Sequence, residues 1–144
     1  IYFILSGSLR VFYVDELNDH SIRFAYKHNF ITLLDSLISK APSSLSLQAI
    51  KKTEIKAVAL HKIDELITSN ETFKQLWFDN LGNLVHQQME REIDLLTASP
   101  LERYQRVLKR SPRLFQEIPN RFIASYLRMT PETLSRVKNL DLNQ

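Results

Sequence analysis

The sequence contains no cysteine, which removes disulfides, thiolate catalysis and every cysteine-ligated cluster or zinc site from the residues at hand. It also lacks any unbroken apolar run of the roughly 18 residues that a membrane-crossing helix needs. The four histidines, His20, His28, His61 and His86, are too far apart for a local metal motif and read as surface or strand residues. "LSGS" has neither the G-x-S-x-G spacing nor a recognisable partner histidine and aspartate, so Ser6 and Ser8 are poor candidate nucleophiles. No acid–base pair can be placed, and an enzyme is not expected. Repeats and low-complexity segments are absent as well. The opening "IYFILSGSLRVFYV" lacks a basic start and is broken by Gly7 and Arg10, so it reads as buried strand and not as a signal peptide. It also lacks an initiating methionine and begins directly in strand pattern, from which the expectation is that upstream residues are missing.

What is present is an ordinary globular composition: 144 residues, 44% hydrophobic and 24% charged, enough for one solid core or for two small ones joined by a helix. The net charge of +3 hides an asymmetry. Residues 1–97 hold 10 Lys/Arg against 12 Asp/Glu, and residues 98–144 hold 9 against 4, so the halves carry −2 and +5. A basic tail on a near-neutral body points weakly to a polyanion. A cytoplasmic location fits the absence of cysteine.

Up to about Leu60 the pattern is that of short antiparallel strands, which predicts a sandwich or roll. Leu9, Val11 and Tyr13 alternate with polar and aromatic neighbours, and "DELNDHS" supplies a turn before "SIRFAYKHNF", making a hairpin. "LSLQAIKKTEIKAVAL" predicts a second hairpin, with Leu45, Leu47 and Ala49 on one arm, a Lys51-Lys52-Thr53 connection, and Ile55, Ala57 and Ala59 on the other. After Leu60 the period becomes helical. "HKIDELITSN" gives a short helix, and Asn70 can cap a long one from Glu71 to about Thr97.

Along that long helix Phe73, Trp77, Leu81, Leu84, Val85, Met89, Ile93 and Leu96 form one apolar stripe. About 27 residues span about 40 Å, more than a sheet domain of this size covers. The stripe is buried either by the rest of the chain or by a parallel partner helix in a homodimer; the dimer is the favoured reading. Ser99, Pro100 and Glu102 then open a further helix with a capping box, Pro112 ends it, and Pro119 and Pro131 start two last helices reaching Leu127 and Leu140.

Those last two helices, in "RFIASYLRMTPETLSRV", are joined too tightly to lie antiparallel, as in a helix-turn-helix. Ile123, Ala124, Leu127, Met129, Leu134 and Val137 make a shared apolar seam. At 100° per residue Glu132, Ser135, Arg136 and Asn139 fall on the opposite arc, available to a DNA groove. Arg136 can pair with guanine and Glu132 with cytosine. Thr130, at the exposed amides of the helix N-terminus, suits a phosphate, and Arg121, Arg128 and Lys138 could flank the backbone. The competing reading is a mere i,i+4 surface ion pair between Glu132 and Arg136.

From "YFILSGSLRVFY" through the long helix to "IASYLRMTPETLSRV" the chain resembles the Crp/Fnr family of bacterial transcription regulators, in a short form similar to that of Bacteroidetes-type bacteria. The resemblance implies an α+β fold: an N-terminal cyclic-nucleotide-binding-like β-roll (1–69, N-terminal part missing), a dimerising helix (70–97) and a helix-turn-helix DNA-binding domain (98–144). It also implies double-stranded DNA, a second copy of the chain and RNA polymerase as partners, with a small-molecule effector unknown. By position Arg136 and Glu132 match the family's base readers, and Thr130 and Thr133 its phosphate contacts.

Three departures stand out. Arg128 occupies a turn position that usually holds glycine, where a left-handed backbone would cost roughly 1 kcal/mol. Pro131 replaces an arginine of the cyclic-AMP-responsive branch. After Leu140 only "DLNQ" follows, so no wing is expected. The segment matching the nucleotide pocket offers Thr32 and Leu33, then Ser43 and Ser44, where the family has a Gly-Glu pair and an Arg-Ser or Arg-Thr pair. Leucine accepts no ribose hydroxyl and serine brings no charge to a phosphate, so cyclic AMP is not expected by the usual contacts. No cofactor is expected. The rival to a DNA-binding regulator is a ligand-sensing or scaffold protein whose terminal helices only pack.

Overall fold

The computed structural model describes residues 1–142, an α+β chain. Six strands form two three-stranded antiparallel sheets, and seven helices accompany them. β1 (Tyr2–Ser6) lies between β4 (Phe30–Ile31) and β6 (Glu54–Ala57), while β2 (Ser8–Val14) lies between β3 (Asp19–Tyr26) and β5 (Ser46–Ala49). The helices are α1 (Leu34–Ser39), α2 (Leu60–Ser69), α3 (Glu71–Leu96), α4 (Pro100–Arg110), α5 (Leu114–Glu117), α6 (Asn120–Tyr126) and α7 (Pro131–Leu142).

The first hairpin is as expected, with Leu9 opposite Ala25 and Val14 opposite Asp19. The second is not. β5 pairs with β2 and β6 with β1, so the Ile50–Thr53 connection carries the chain from one sheet to the other. Gly7 makes the same crossing between β1 and β2, with φ of 85°. A Cβ at Gly7 would sit 2.4 Å from the Lys52 carbonyl oxygen, so the two crossings stack on one another and only glycine fits between them. Thr53 joins them: its Oγ1 accepts from the Ser8 amide at 3.1 Å. Two crossings stacked in this way fold a ribbon of strands into a roll instead of a meander. Helices α1 and α5 interrupt segments in which no helix was expected, each with too few turns to register a 3.6-residue period.

Ile4, Leu9, Val11, Ala25 and Ile31 form the core of the roll. A second, larger core gathers Tyr104, Val107, Leu114, Ile118, Phe122, Ile123, Ala124, Leu127, Leu134 and Val137 from α4 to α7. Phe24, Tyr26 and Ile50 of the roll pack against it, so the two cores adjoin. The long helix begins where expected, since Asn70 Oδ1 accepts from the Phe73 amide at 2.9 Å, and α4 is capped by Ser99 Oγ, 3.3 Å from the Glu102 amide. Pro119 caps α6 and is not its first residue.

Candidate nucleic-acid interface

Helices α6 and α7 meet through the expected seam. Ile123, Ala124, Leu127, Leu134 and Val137 are buried, and Met129 is partly so. Between them the chain turns by a Schellman-type ending: the Met129 amide donates to the Ala124 carbonyl at 3.0 Å and the Arg128 amide to the Ser125 carbonyl at 3.2 Å. Such an ending needs a left-handed residue, and Arg128 takes it with φ of 54°. Arg103 of α4 holds the turn from below, donating to the Leu127 carbonyl at 2.6 Å and the Arg128 carbonyl at 3.3 Å.

Thr130 caps α7, its Oγ1 accepting from the Thr133 amide at 3.2 Å. Glu132, Ser135, Arg136 and Asn139 are all exposed, and together with Pro131 and Leu140 they line a shallow depression of about 640 Å³ on the outer face of α7. Glu132 and Arg136 do not pair. Among the described residues Arg136 has no hydrogen bond or ion pair. The Glu132 carboxyl is held below its ordinary pKa by its own backbone amide first and by the Thr130 hydroxyl second. The i,i+4 surface pair is therefore not formed, and the guanidinium points outward beside an ionised carboxylate.

The basic tail is less available than its count suggests. Arg106 and Arg110 of α4 converge on Asp94 of α3, which is 2% exposed; Arg106 Nε lies 3.0 Å from Asp94 Oδ1, Arg110 also pairs with Asp94, and both reach Glu90. Arg113 stacks over the Tyr26 ring. Lys138 donates to Asn120 Oδ1 at 2.6 Å and lies over Phe115, and Arg128 contacts His20, so neither is an uncommitted backbone clamp. Arg121 remains exposed, over the Phe122 ring.

The roll abuts the first helix of this pair, which sequence reasoning missed. Arg10 of β2, 1% exposed, lies between the rings of Phe12 and Phe122, each centroid 4.2 Å away. It donates to Gln48 Oε1 at 2.7 Å and pairs with Asp19. Arg91 of α3 donates to the Ser21 carbonyl at 2.9 Å and the Tyr126 carbonyl at 3.2 Å, with its guanidinium over the Tyr126 ring. The only signal in the sequence is an arginine inside the apolar run "LRVF", which reads simply as a break in that run.

On α3 the apolar stripe divides. Phe73, Trp77, Leu81 and Leu84 are half-buried, whereas Val85, Met89 and Ile93 are exposed, together with Leu76, Phe78 and Leu96. The helix is 26 residues long, and only Arg91 and Asp94 are buried on it. A side chain at Gly82 would meet nothing within 4 Å.

In the candidate effector segment Leu33 packs against the core of the roll, Thr32 is partly buried, and Ser43 and Ser44 are engaged by Asp35. Ser43 Oγ donates to the Asp35 carboxylate at 2.7 Å and the Ser44 amide donates at 2.9 Å. The hydrogen bond from Ser43 is the main cause of a lowered Asp35 pKa. A carboxylate of the chain's own is thus already held by the donors that an anion would need.

No helix of the described residues is long and apolar enough to cross a membrane. The roll, the long helix and the helices that follow it make up the fold seen in Crp/Fnr-type regulators. FixK2 from Bradyrhizobium japonicum superposes with a TM-score of 0.75 at 19% identity, over 96% of this chain and 72% of that one. A CooA mutant from Carboxydothermus hydrogenoformans gives 0.72 at 17% identity, over 96% of this chain and 65% of the other. The catabolite activator protein of Thermus thermophilus gives 0.53 at 21%, over 96% and 67%. No protein-family model matches the sequence, and no curated protein matches it. At these identities the likeness is one of fold.

Proposed function

We propose that the chain is a sequence-specific DNA-binding transcription regulator of the Crp/Fnr type, acting as a homodimer on an inverted-repeat operator. The observation that carries the reading is the outward face of α7: Arg136 unpaired among the described residues and Glu132 ionised beside it, one turn apart, with Leu134 and Val137 anchored behind. A guanidinium placed in this way can take guanine O6 and N7, and a carboxylate can accept from cytosine N4. Ser135 and Asn139 complete the reading face, while Thr130, Thr133 and Arg121 lie where phosphates would run. Lys138, tied to Asn120, contributes through its charge.

In this reading residues 1–69 are the roll, 70–97 the dimerising helix and 98–144 the DNA-binding domain. The protein is a cytoplasmic non-enzyme with RNA polymerase as a further partner. The engagement of Ser43 and Ser44 by Asp35 supports a roll that does not take cyclic AMP by the usual contacts. Two recognition helices one turn apart require half-sites about 34 Å, ~10 bp, between centres.

Selection from a random duplex library tests the proposal. A palindrome with that spacing should be enriched, and its binding should weaken steeply with salt. Arg136→Ala should lower affinity for the selected site by ~10- to 100-fold, about 1–3 kcal/mol, and relax preference at one base pair per half-site. Selection that enriches no palindrome at low salt would favour a ligand-sensing or scaffold role for the roll.

A further inference from the structure

We propose that Asp15, His20 and Arg128 form a proton-sensitive latch, which holds the roll against the helix-turn-helix while His20 is neutral and releases it when His20 is protonated. Both imidazole nitrogens are engaged. Nε2 lies 2.5 Å from Asp15 Oδ2, and Nδ1 lies 2.6 Å from the Arg128 guanidinium. A guanidinium only donates and an ionised carboxylate only accepts, so the ring carries its proton on Nε2 and accepts at Nδ1. Asp15 is fixed as the acceptor. Its Oδ1 takes the amides of Leu17 and Asn18 at 2.9 and 2.8 Å, and with the His20 contact first among the causes its pKa falls to about 2.

The direction of the switch follows from where the partners reside. Asp15 and His20 belong to the same hairpin, so their contact persists whether or not the roll is docked. Only Arg128 comes and goes. Protonating Nδ1 converts its bond to Arg128 into a repulsion between two cations, which penalises the docked state alone. The other charged groups nearby are Asp19, already paired with Arg10, Arg121 of α6, and Arg91 of α3, whose guanidinium is held by the Ser21 and Tyr126 carbonyls and already repels that of Arg128. Next to the latch the Ser21 amide donates to Ser125 Oγ of α6 at 2.9 Å, a hydrogen bond that crosses the junction and reports whether it is closed. The latch concerns the chain without DNA and is independent of what α7 binds.

The full chain, labelled with 15N, provides the test. At pH 8 the His20 ring should show the Nε2–H tautomer. Protection of the Ser21 amide from hydrogen exchange, relative to unfolded-chain rates, should fall about tenfold between pH 8 and pH 5. His20→Gln keeps one neutral donor and one acceptor and should abolish that dependence. Arg128→Gly, which suits the left-handed backbone, should abolish it too. A proton on Nδ1 at pH 8 would overturn the latch, as would Ser21 protection that is flat in the unsubstituted chain or that falls in parallel in all three proteins.

Discussion

Val85→Glu should make the chain monomeric, raising the dimer dissociation constant by at least ~100-fold, about 2.7 kcal/mol. Val85 is 62% exposed on a helix whose other uncovered side chains include Phe78 and Met89, and glutamate is a good helix former, so a single chain should tolerate the change. The effect belongs to the proposed pair. In a two-fold interface each substitution occurs twice, and the two carboxylates would lie opposite one another among the exposed Phe78 and Met89 side chains. Bare space at Gly82 lets a partner helix approach closely there. Sedimentation velocity reads the result directly. If the substituted and unsubstituted chains sediment alike, the stripe is not the seam. Operator affinity should fall in the same experiment, because two half-sites are bound together only when the recognition helices are linked.

Leu134→Ala should destabilise the chain by ~3 kcal/mol and lower its melting temperature by about 10 °C, as expected for a buried leucine truncated in a closed core. Leu134 is 0% exposed, packed with Ile123, Ala124 and Val137. Two residues away Arg136 is exposed, and Arg136→Ala should change stability by no more than about 0.5 kcal/mol while altering DNA binding. The pair therefore tests the rotation of α7 about its own axis. Thermal melts in which the two substitutions cost equally would mean that another face of the helix points outward, and the assignment of Glu132 and Arg136 as readers would go with it.

Most of the helical part was legible in advance because its signals are local. Asn70 and Ser99 announce helix starts by the amides they satisfy, Pro112 and Pro131 mark breaks, and the apolar spacing of Ile123 to Val137 names the inward face. The roll was less so. "LSLQAIKKTEIKAVAL" has the alternation of a hairpin, yet its arms join different sheets, because the partner of each strand is chosen by packing at Gly7 and Thr53 and not by the turn between them. Charge was legible as a count and misleading as a surface. Arg103, Arg106, Arg110 and Arg128 all carry charge in the basic tail, but carbonyls, carboxylates and an imidazole from distant positions take them up.

Local chemistry alone settled where α3 and α4 start and which face of α7 is apolar. Which strands pair, which cations stay uncommitted, and that His20 meets Arg128 across 108 residues were settled by the fold. The reason is physical: caps and periodicity act within a few residues, whereas strand pairing and ion pairing depend on distances that exist only once the cores have closed.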